Sequence, residues 1–344
     1  MTGGGSLGSV IPLLGLQHDL LHNGIVCVWA VTRHGPENSF VHGTKYVLPV
    51  AKLPRYLSLH LLALPFLLIY SFFKSLIILR KERPHLIMSA GSYLGVPMVL
   101  AGKLLSIPSL LHQQDIIPSF SNTLVHRFAE LITVNFPESA HDFPRHNTLV
   151  IGNPLRTSLF TVHHPRNTTP LILVLGGGQG SSVINTSIRR ILDDITPHAE
   201  IIHNTGKGKH DHTYDSHEQY TQHELLKGEE MAEYLQRAWI VITRAGLSTL
   251  TELAYTHGCA VVIPITHSHQ EHNANYLASH DAAVVLREQD LSHASFPTTI
   301  LSLLANEPER IKKGENLSKL FNPHANLAMV KVIKKLLQRD SQRN

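Results

Sequence analysis

The sequence predicts an α/β protein built as two doubly wound parallel-sheet domains facing a cleft, residues 1–152 and 153–344. Three observations predict it. At 344 residues the chain is too long for one ordinary core and suits two. In both halves short apolar runs alternate with helical segments, the pattern of strands joined by crossover helices into a parallel sheet. Between the halves, Gly152-Asn153-Pro154 reads as a joint.

The elements follow in order. The apolar residues between Gly8 and Leu21 suit a helix, and Gly24 to Val31 reads as a buried strand. Pro84 to Ser89 is a short strand, Gly91 and Gly95 open a helix near Val96 to Leu105, and Ser109-Leu110-Leu111 begins the next strand. The second half repeats the plan: strand Leu171 to Leu175, glycine loop Gly176 to Gly180, helix Ser181 to Ile195, strand Glu200 to His203. Strands at Ile240 to Ile242 and Ala260 to Pro264 flank a helix from Ser248 to Tyr255, and an amphipathic helix from Ala325 to Gln338 closes the second domain. The start of the chain is unusual. A phosphate-binding glycine loop normally follows a buried strand, and there is no room for one before Gly3, so either the true start lies upstream or the first domain lacks its usual central strand.

Composition narrows the function. Hydrophobic residues are 43% and charged residues 16%, which excludes a disordered chain. Two cysteines, Cys27 and Cys259, support neither a disulfide framework nor a thiolate zinc site. The 25 histidines show no ligand spacing, so no metal site is expected. The net charge of +4 comes from dispersed cations without an aromatic stacking motif, which points to anionic lipid or phosphate rather than nucleic acid. No basic-then-apolar leader is visible at Met1. The run from Leu57 to Leu79 is apolar nearly all round. His60, Pro65 and Lys74 inside it argue against a spanning helix, leaving a buried layer helix or a helix lying on a membrane surface. Lys52, Arg55, Lys74, Arg80, Lys81 and Arg83 lean toward the surface.

Two loops carry chemistry. Gly176 to Gly180 lies between a strand and a helix, where bare amides and a helix start receive a diphosphate. A nicotinamide cofactor is disfavoured, since Ser181 replaces the third glycine of that fingerprint and no carboxylate ends the next strand. Thr243 to Glu252 gathers glycine, hydroxyls and a carboxylate around a helix start. There Gly246 permits close approach, Ser248 and Thr249 can cap the helix, and Glu252 stands where a ribose diol would meet it.

The segments Gly3 to Gly8, Ser89 to Tyr93, His112 to Asp115, Gly152 to Arg156, Gly176 to Gly180, His203 to Gly208, Thr243 to Glu252 and His269 to Ala274 occur in the order seen in the MurG family. The chain resembles that family of bacterial N-acetylglucosamine transferases over nearly its whole length. The resemblance implies the GT-B architecture of two Rossmann-like domains. It implies UDP-N-acetylglucosamine as donor on the second domain, a lipid-linked muramyl pentapeptide as acceptor on the first, and a peripheral place on the cytoplasmic face of an anionic membrane. It implies no cofactor. By position it assigns Asn153, Arg156, Gly177, Gly178, Gln179, Gly180, Ser181, Arg244, Gly246, Ser248, Thr249, Glu252, Gln270 and Asn273 to the donor, and Gly5, Ser6, Gly8, Ser9 and Tyr93 to the acceptor side.

The departures fall mainly on the acceptor side. The family's Gly-Gly-Thr-Gly-Gly-His is here Gly4-Gly5-Ser6-Leu7-Gly8-Ser9, its His-Glu-Gln-Asn is His112-Gln113-Gln114-Asp115, and the donor loop's usual serine is Gly178. With Ser9 in place of the histidine, Asp115 and His112 are the nearest candidates to take the acceptor's proton. Two alternatives stay open: a UDP-sugar transferase acting on another lipid such as diacylglycerol, and a non-catalytic donor-binding or membrane-docking partner.

Overall fold

The computed structural model describes residues 1–49, 60–143, 148–156, 160–166, 168–292 and 294–341. Lys52, Arg55 and the start of the apolar run, Leu57 to Leu59, lie outside them, as do the side chains of His60 and Pro65. The chain divides into two compact units: Met1–Arg156 with Pro323–Asn344, and Thr157–Asn322.

In the first unit, β1 (Trp29–Val31) pairs in parallel with β2 (Lys45–Val47), and β3 (Ile87–Ser89), β4 (Ser109–Gln113), β5 (Leu131–Val134) and β6 (Thr148–Val150) form a second parallel ladder. The missing central strand has a substitute. Thr2 bridges Ala30 on one side and Ser89 on the other, both in parallel, with Thr2 N donating to Met88 O at 2.8 Å and Gly3 N to Ala30 O at 3.2 Å. Met1 to Gly3 therefore run between β1 and β3, where the single bridging residue Thr2 stands in place of a full strand. Only Trp29–Val31 of the predicted Gly24 to Val31 strand pairs with a neighbour.

Helices cover both faces. On one, Leu13 and Leu16 of α1 (Ile11–His22) pack over Val31, Met88 and Leu110. On the other, Leu76 and Leu79 of α2 (His60–Glu82) and Met98 and Val99 of α3 (Gly95–Leu104) pack over Leu111 and Ile132. The short α4 (Phe120–Val125) follows β4, capped by the Ser119 side chain.

The second unit holds β7 (Leu171–Leu175), β8 (Glu200–Asn204), β9 (Tyr220–His223), β10 (Ile240–Thr243), β11 (Cys259–Val262) and β12 (Val284–Val285). Their order is β12-β11-β10-β7-β8-β9, all parallel. The first strand is central because all five of its residues are apolar and buried. The predicted helix from Ser181 splits into α5 (Ser182–Arg190) and α6 (Leu192–Ile195). After it come α7 (Gly228–Arg237), α8 (Leu247–Tyr255), α9 (His269–Ser279), α10 (Ser295–Ala305) and α11 (Glu307–Leu320).

The closing helix, α12 (Ala325–Ser341), belongs to the first unit, which corrects its assignment to the second domain. Met329, Val330, Ile333 and Leu336 join the core over α1. Asn326 secures the joint: its Oδ1 accepts from Leu155 N at 2.7 Å, and its Nδ2 donates to Leu155 O at 2.8 Å and Asp19 Oδ2 at 2.5 Å. Replacing Asn326 by Ala strands buried backbone groups of Leu155. Urea unfolding of Asn326→Ala is expected to show a loss of about 2–3 kcal/mol; a loss below about 0.5 kcal/mol would contradict this role.

Candidate functional site

In each unit the strand order reverses once, and the loops at the carboxyl ends of the strands flanking that reversal form the natural ligand crevice. In the second unit the reversal lies between β7 and β10, which brings together Gly176 to Ser181 and Arg244 to Gly246. In the first it lies between Met1–Gly3 and β3, which brings together Gly3 to Ser9 and Ser89 to Tyr93.

On the second unit, Gly177 and Gly180 take positive φ values of 84° and 69°. A Cβ on Gly180 would collide with the Thr205 carbonyl, and one on Gly206 with the Gln179 carbonyl, so the loops after β7 and β8 lie backbone against backbone. Gly178 and Gln179 are exposed at the tip. Ser181 caps α5, its Oγ accepting from Ile184 N at 3.3 Å.

Arg244, expected at the donor, is held by partners within the protein. Its buried guanidinium donates to Ser181 Oγ at 2.6 Å and to the carbonyls of Ile263 at 3.1 Å and Pro264 at 3.2 Å, and it pairs with Glu288 Oε1 at 2.7 Å. It thus binds the ends of β10 and β11 to the cap of α5. Glu288 was not legible as a site residue, since nothing in its neighbourhood marks it.

The cap of α8 falls on Gly246, which has no side chain to offer, so Ser248 and Thr249 stand in the first turn and the expectation that they cap the helix is corrected. Glu252 lies one turn further along and is only 5% exposed. Asn273 Nδ2 donates to Ala245 O at 3.0 Å, tying α9 to the same turn, and Gln270 Oε1 accepts from Ile265 N at 3.1 Å in the loop that follows β11. The expected donor residues of this unit therefore gather around one switch point.

On the first unit, Ser92 Oγ donates to Gly4 O at 3.3 Å, and Gln114 Nε2 donates to Gly8 O at 3.0 Å and Ala90 O at 3.3 Å. Gly5, Ser6, Gly8, Ser9 and Tyr93 are thereby brought together, and Gln114 joins them although only its neighbours were singled out from sequence. Asp115 is half-buried beside them, its carbonyl accepting from Gln113 Nε2 at 2.9 Å.

His112 is fully buried, with its ring nitrogens 3.0 Å from Thr133 Oγ1 and 3.0 Å from Asn153 Oδ1. Burial pushes its pKa down to about 4, the Asn153 and Thr133 contacts opposing this only in part. The ring is a neutral internal strut, which corrects its candidacy as the group that meets the acceptor. Asn153 is its partner within the first unit, and Arg156 is half-buried at that unit's edge.

The described part of the α2 run is not fully buried. Phe66, Ile69, Tyr70, Phe73 and Ile77 form one exposed stripe at helical spacing, with Phe66 75% and Ile77 67% exposed, while Leu76 and Leu79 face the core. No helix among the described residues is long and apolar enough to cross a membrane. Among the same residues, His210, His212 and Asp215 are grouped closely enough to hold a metal ion, on an exposed loop where Asp215 already bonds both rings at 2.6 and 2.8 Å.

Two doubly wound units with glycine loops at their switch points define the class: a protein of GT-B architecture. The chain belongs to glycosyltransferase family 28, and within it to the MurG family. The family's N-terminal domain matches residues 1–134 and its C-terminal domain residues 171–329. Among its relatives are the UDP-N-acetylglucosamine–N-acetylmuramyl-(pentapeptide) pyrophosphoryl-undecaprenol N-acetylglucosamine transferases of Clostridium kluyveri and Clostridium perfringens. The first is 31% identical over 85% of this chain and 87% of its own, the second 29% identical over 97% of each. Among solved structures, MurG of Acinetobacter baumannii superposes with a TM-score of 0.75 at 23% identity, over 97% of this chain and 98% of its own. The calicheamicin glycosyltransferase CalG4 follows at 0.73 and 15%, over 98% and 97%. A UDP-N-acetylglucosamine 2-epimerase from Listeria monocytogenes reaches 0.71 at 13%, over 98% and 96%, so the fold alone does not separate transfer from epimerisation.

Two buried histidines make stability depend on pH. His203, between Tyr220 and Asn185, is pushed down to about 3 by burial and then by the Arg189 charge. Unfolded histidine titrates near 6.5. Below that pH the unfolded chain binds protons that the folded chain refuses, so stability falls with acidification, by about 1.4 kcal/mol per pH unit for each ring. For His112 the loss continues to about pH 4. Urea unfolding followed at Trp29 in a Trp239→Phe background should lose about one proton of slope between pH 6 and 5 on His112→Asn. An unchanged slope would show that His112 is not held neutral.

Proposed function

We propose that the protein transfers N-acetylglucosamine from UDP-N-acetylglucosamine to the 4-hydroxyl of a lipid-linked muramyl pentapeptide, with inversion at the anomeric carbon. The observation that carries this reading is the placement of Glu252, buried one turn into α8, at the switch point shared with the Gly176 to Ser181 loop. Full-length relatives named for this reaction support it.

On this reading the donor lies on the second unit. The Glu252 carboxylate accepts hydrogen bonds from the ribose diol, and the diphosphate rests against the Gly177 to Ser181 amides and the start of α8. Gln270 and Asn273 border the sugar hydroxyls. The leaving diphosphate is stabilised by fixed amides and helix starts. Arg244 positions that surface without itself meeting the donor.

The acceptor lies on the first unit, against Gly5 to Ser9 and Tyr93. Asp115 is our choice for the proton acceptor. An aspartate is a weak base at neutral pH, so the proton moves late, after the bond to the leaving group has largely broken. Arg156, half-buried at the end of the first unit, is kept as a donor contact, whereas Asn153 supports that unit from within. The apolar stripe of α2, with Lys74, Arg80, Lys81 and Arg83, rests on an anionic membrane on its cytoplasmic face. A different lipid acceptor, such as diacylglycerol, is the second reading; Ser9, standing where the family has histidine, bears instead on a non-catalytic donor-binding or membrane-docking partner.

Labelled UDP-N-acetylglucosamine is offered with lipid-linked muramyl pentapeptide in one assay and diacylglycerol in another. Label in the first lipid is expected; label only in the second selects the alternative, and label in neither, with UDP-sugar still bound, refutes both. Glu252→Ala should weaken the donor by about 1–3 kcal/mol in calorimetry, and an unchanged affinity would remove the ribose assignment.

A further inference from the structure

We propose that Glu37 is a positioning residue for the acceptor, clasping the Gly4-Gly5 loop from beneath. The inference rests on the reading that the first unit receives the acceptor. Glu37 stands in a tight turn, Pro36–Ser39, beyond the carboxyl end of β1, and is 0% exposed. Buried carboxylates are rare and need donors on both oxygens. Here Oε1 accepts from Thr32 N at 2.8 Å and from the Thr32 hydroxyl, and Oε2 accepts from Gly5 N at 3.2 Å.

The surroundings are shaped to this carboxylate. A Cβ on Gly4 or on Gly35 would press on its oxygens, and one on Gly5, at φ 79°, would enter the Tyr93 ring. Three segments from separate parts of the chain therefore close on one another: the loop after Gly3, the turn after β1, and the Tyr93 loop after β3. Gly5 lies against the Tyr93 ring and donates its N–H to Glu37, and burial with the Glu37 charge raises the Tyr93 phenol above its ordinary range. The Ser92 and Gln114 bonds to Gly4 O and Gly8 O hold the same loop by its carbonyls. Glu37 alone among these holds it by an amide.

Glutamine cannot replace this carboxylate. It keeps one acceptor oxygen for Thr32 but turns an NH2 toward Gly5 N–H, donor against donor. The Gly5 amide then loses its partner and the loop its fixed place, while nothing changes on the second unit.

Initial rates with varied donor and varied lipid-linked acceptor test this in Glu37→Gln and Thr32→Val, alongside amide hydrogen exchange of both proteins. Glu37→Gln is expected to raise the acceptor KM about tenfold or more, leave the donor KM within about twofold, and speed exchange in Thr2 to Ser9 but not in Gly176 to Ser181. Thr32→Val removes one donor of three, and serves if Glu37→Gln does not fold. It should show the same split at about threefold. A purely structural role predicts another pattern, a lower kcat with both KM values unchanged, and that pattern overturns the proposal. So does unaltered exchange at Thr2 to Ser9. A wild-type protein that glycosylates no lipid acceptor overturns the reading of the first unit, whereas active wild type with an unmoved acceptor KM in both variants overturns Glu37 alone.

Discussion

The second unit of this protein depends on one buried cation. Arg244 sits where β10 ends, and its guanidinium reaches the carbonyls that end β11, the hydroxyl that caps α5, and the carboxylate of Glu288. A planar group with five fixed donors suits this place, because its partners lie around it in several directions and none can turn away. Desolvating the charge is costly, and the charge-assisted contacts on every side offset that cost. The start of α5 and the end of β10 are thereby locked together, and the glycine loop between β7 and α5 inherits its position from that lock.

The first unit is organised by the opposite charge. Its loop is carried on a short run of residues between β1 and β3, and it is held by side chains beneath it: Glu37, Ser92 and Gln114. A neutral His112 strut supports Asn153 in the same layer. The two switch points therefore share a topology and differ in what fixes them. The sequence departs from its family mainly where short strands and single side chains, rather than a long buried strand, do the fixing.

Much of the second unit could be read from the chain alone because β7, β10 and β11 are unbroken buried apolar runs next to glycine loops. The first unit is harder. Its β2 and β6 are three-residue strands with exposed or half-exposed side chains, so no hydrophobic run announces them. In β5 a threonine interrupts the run, and its partner His112 becomes evident only across the sheet. The closing helix is amphipathic whichever unit it covers; Asn326 meeting Leu155, far away in sequence, decides the matter. Arg244 was recognisable as important, but its role was not, since Glu288 and the two carbonyls come from later parts of the chain. The cap of α8 was misplaced by two residues for a simpler reason: serine and threonine are better caps than glycine by propensity, and the backbone turn chose the glycine.

The central claim is that UDP-N-acetylglucosamine is received at the switch point of the second unit, on surfaces set by Arg244. Amide hydrogen exchange with and without UDP-N-acetylglucosamine tests it most directly. The account predicts protection confined to three stretches, Gly176 to Ser181, Gly246 to Glu252 and His269 to Asn273, and loss of that protection at the first stretch in Arg244→Met. Protection centred on Gly3 to Ser9 and Ser89 to Tyr93, with none at Gly246 to Glu252, would contradict it.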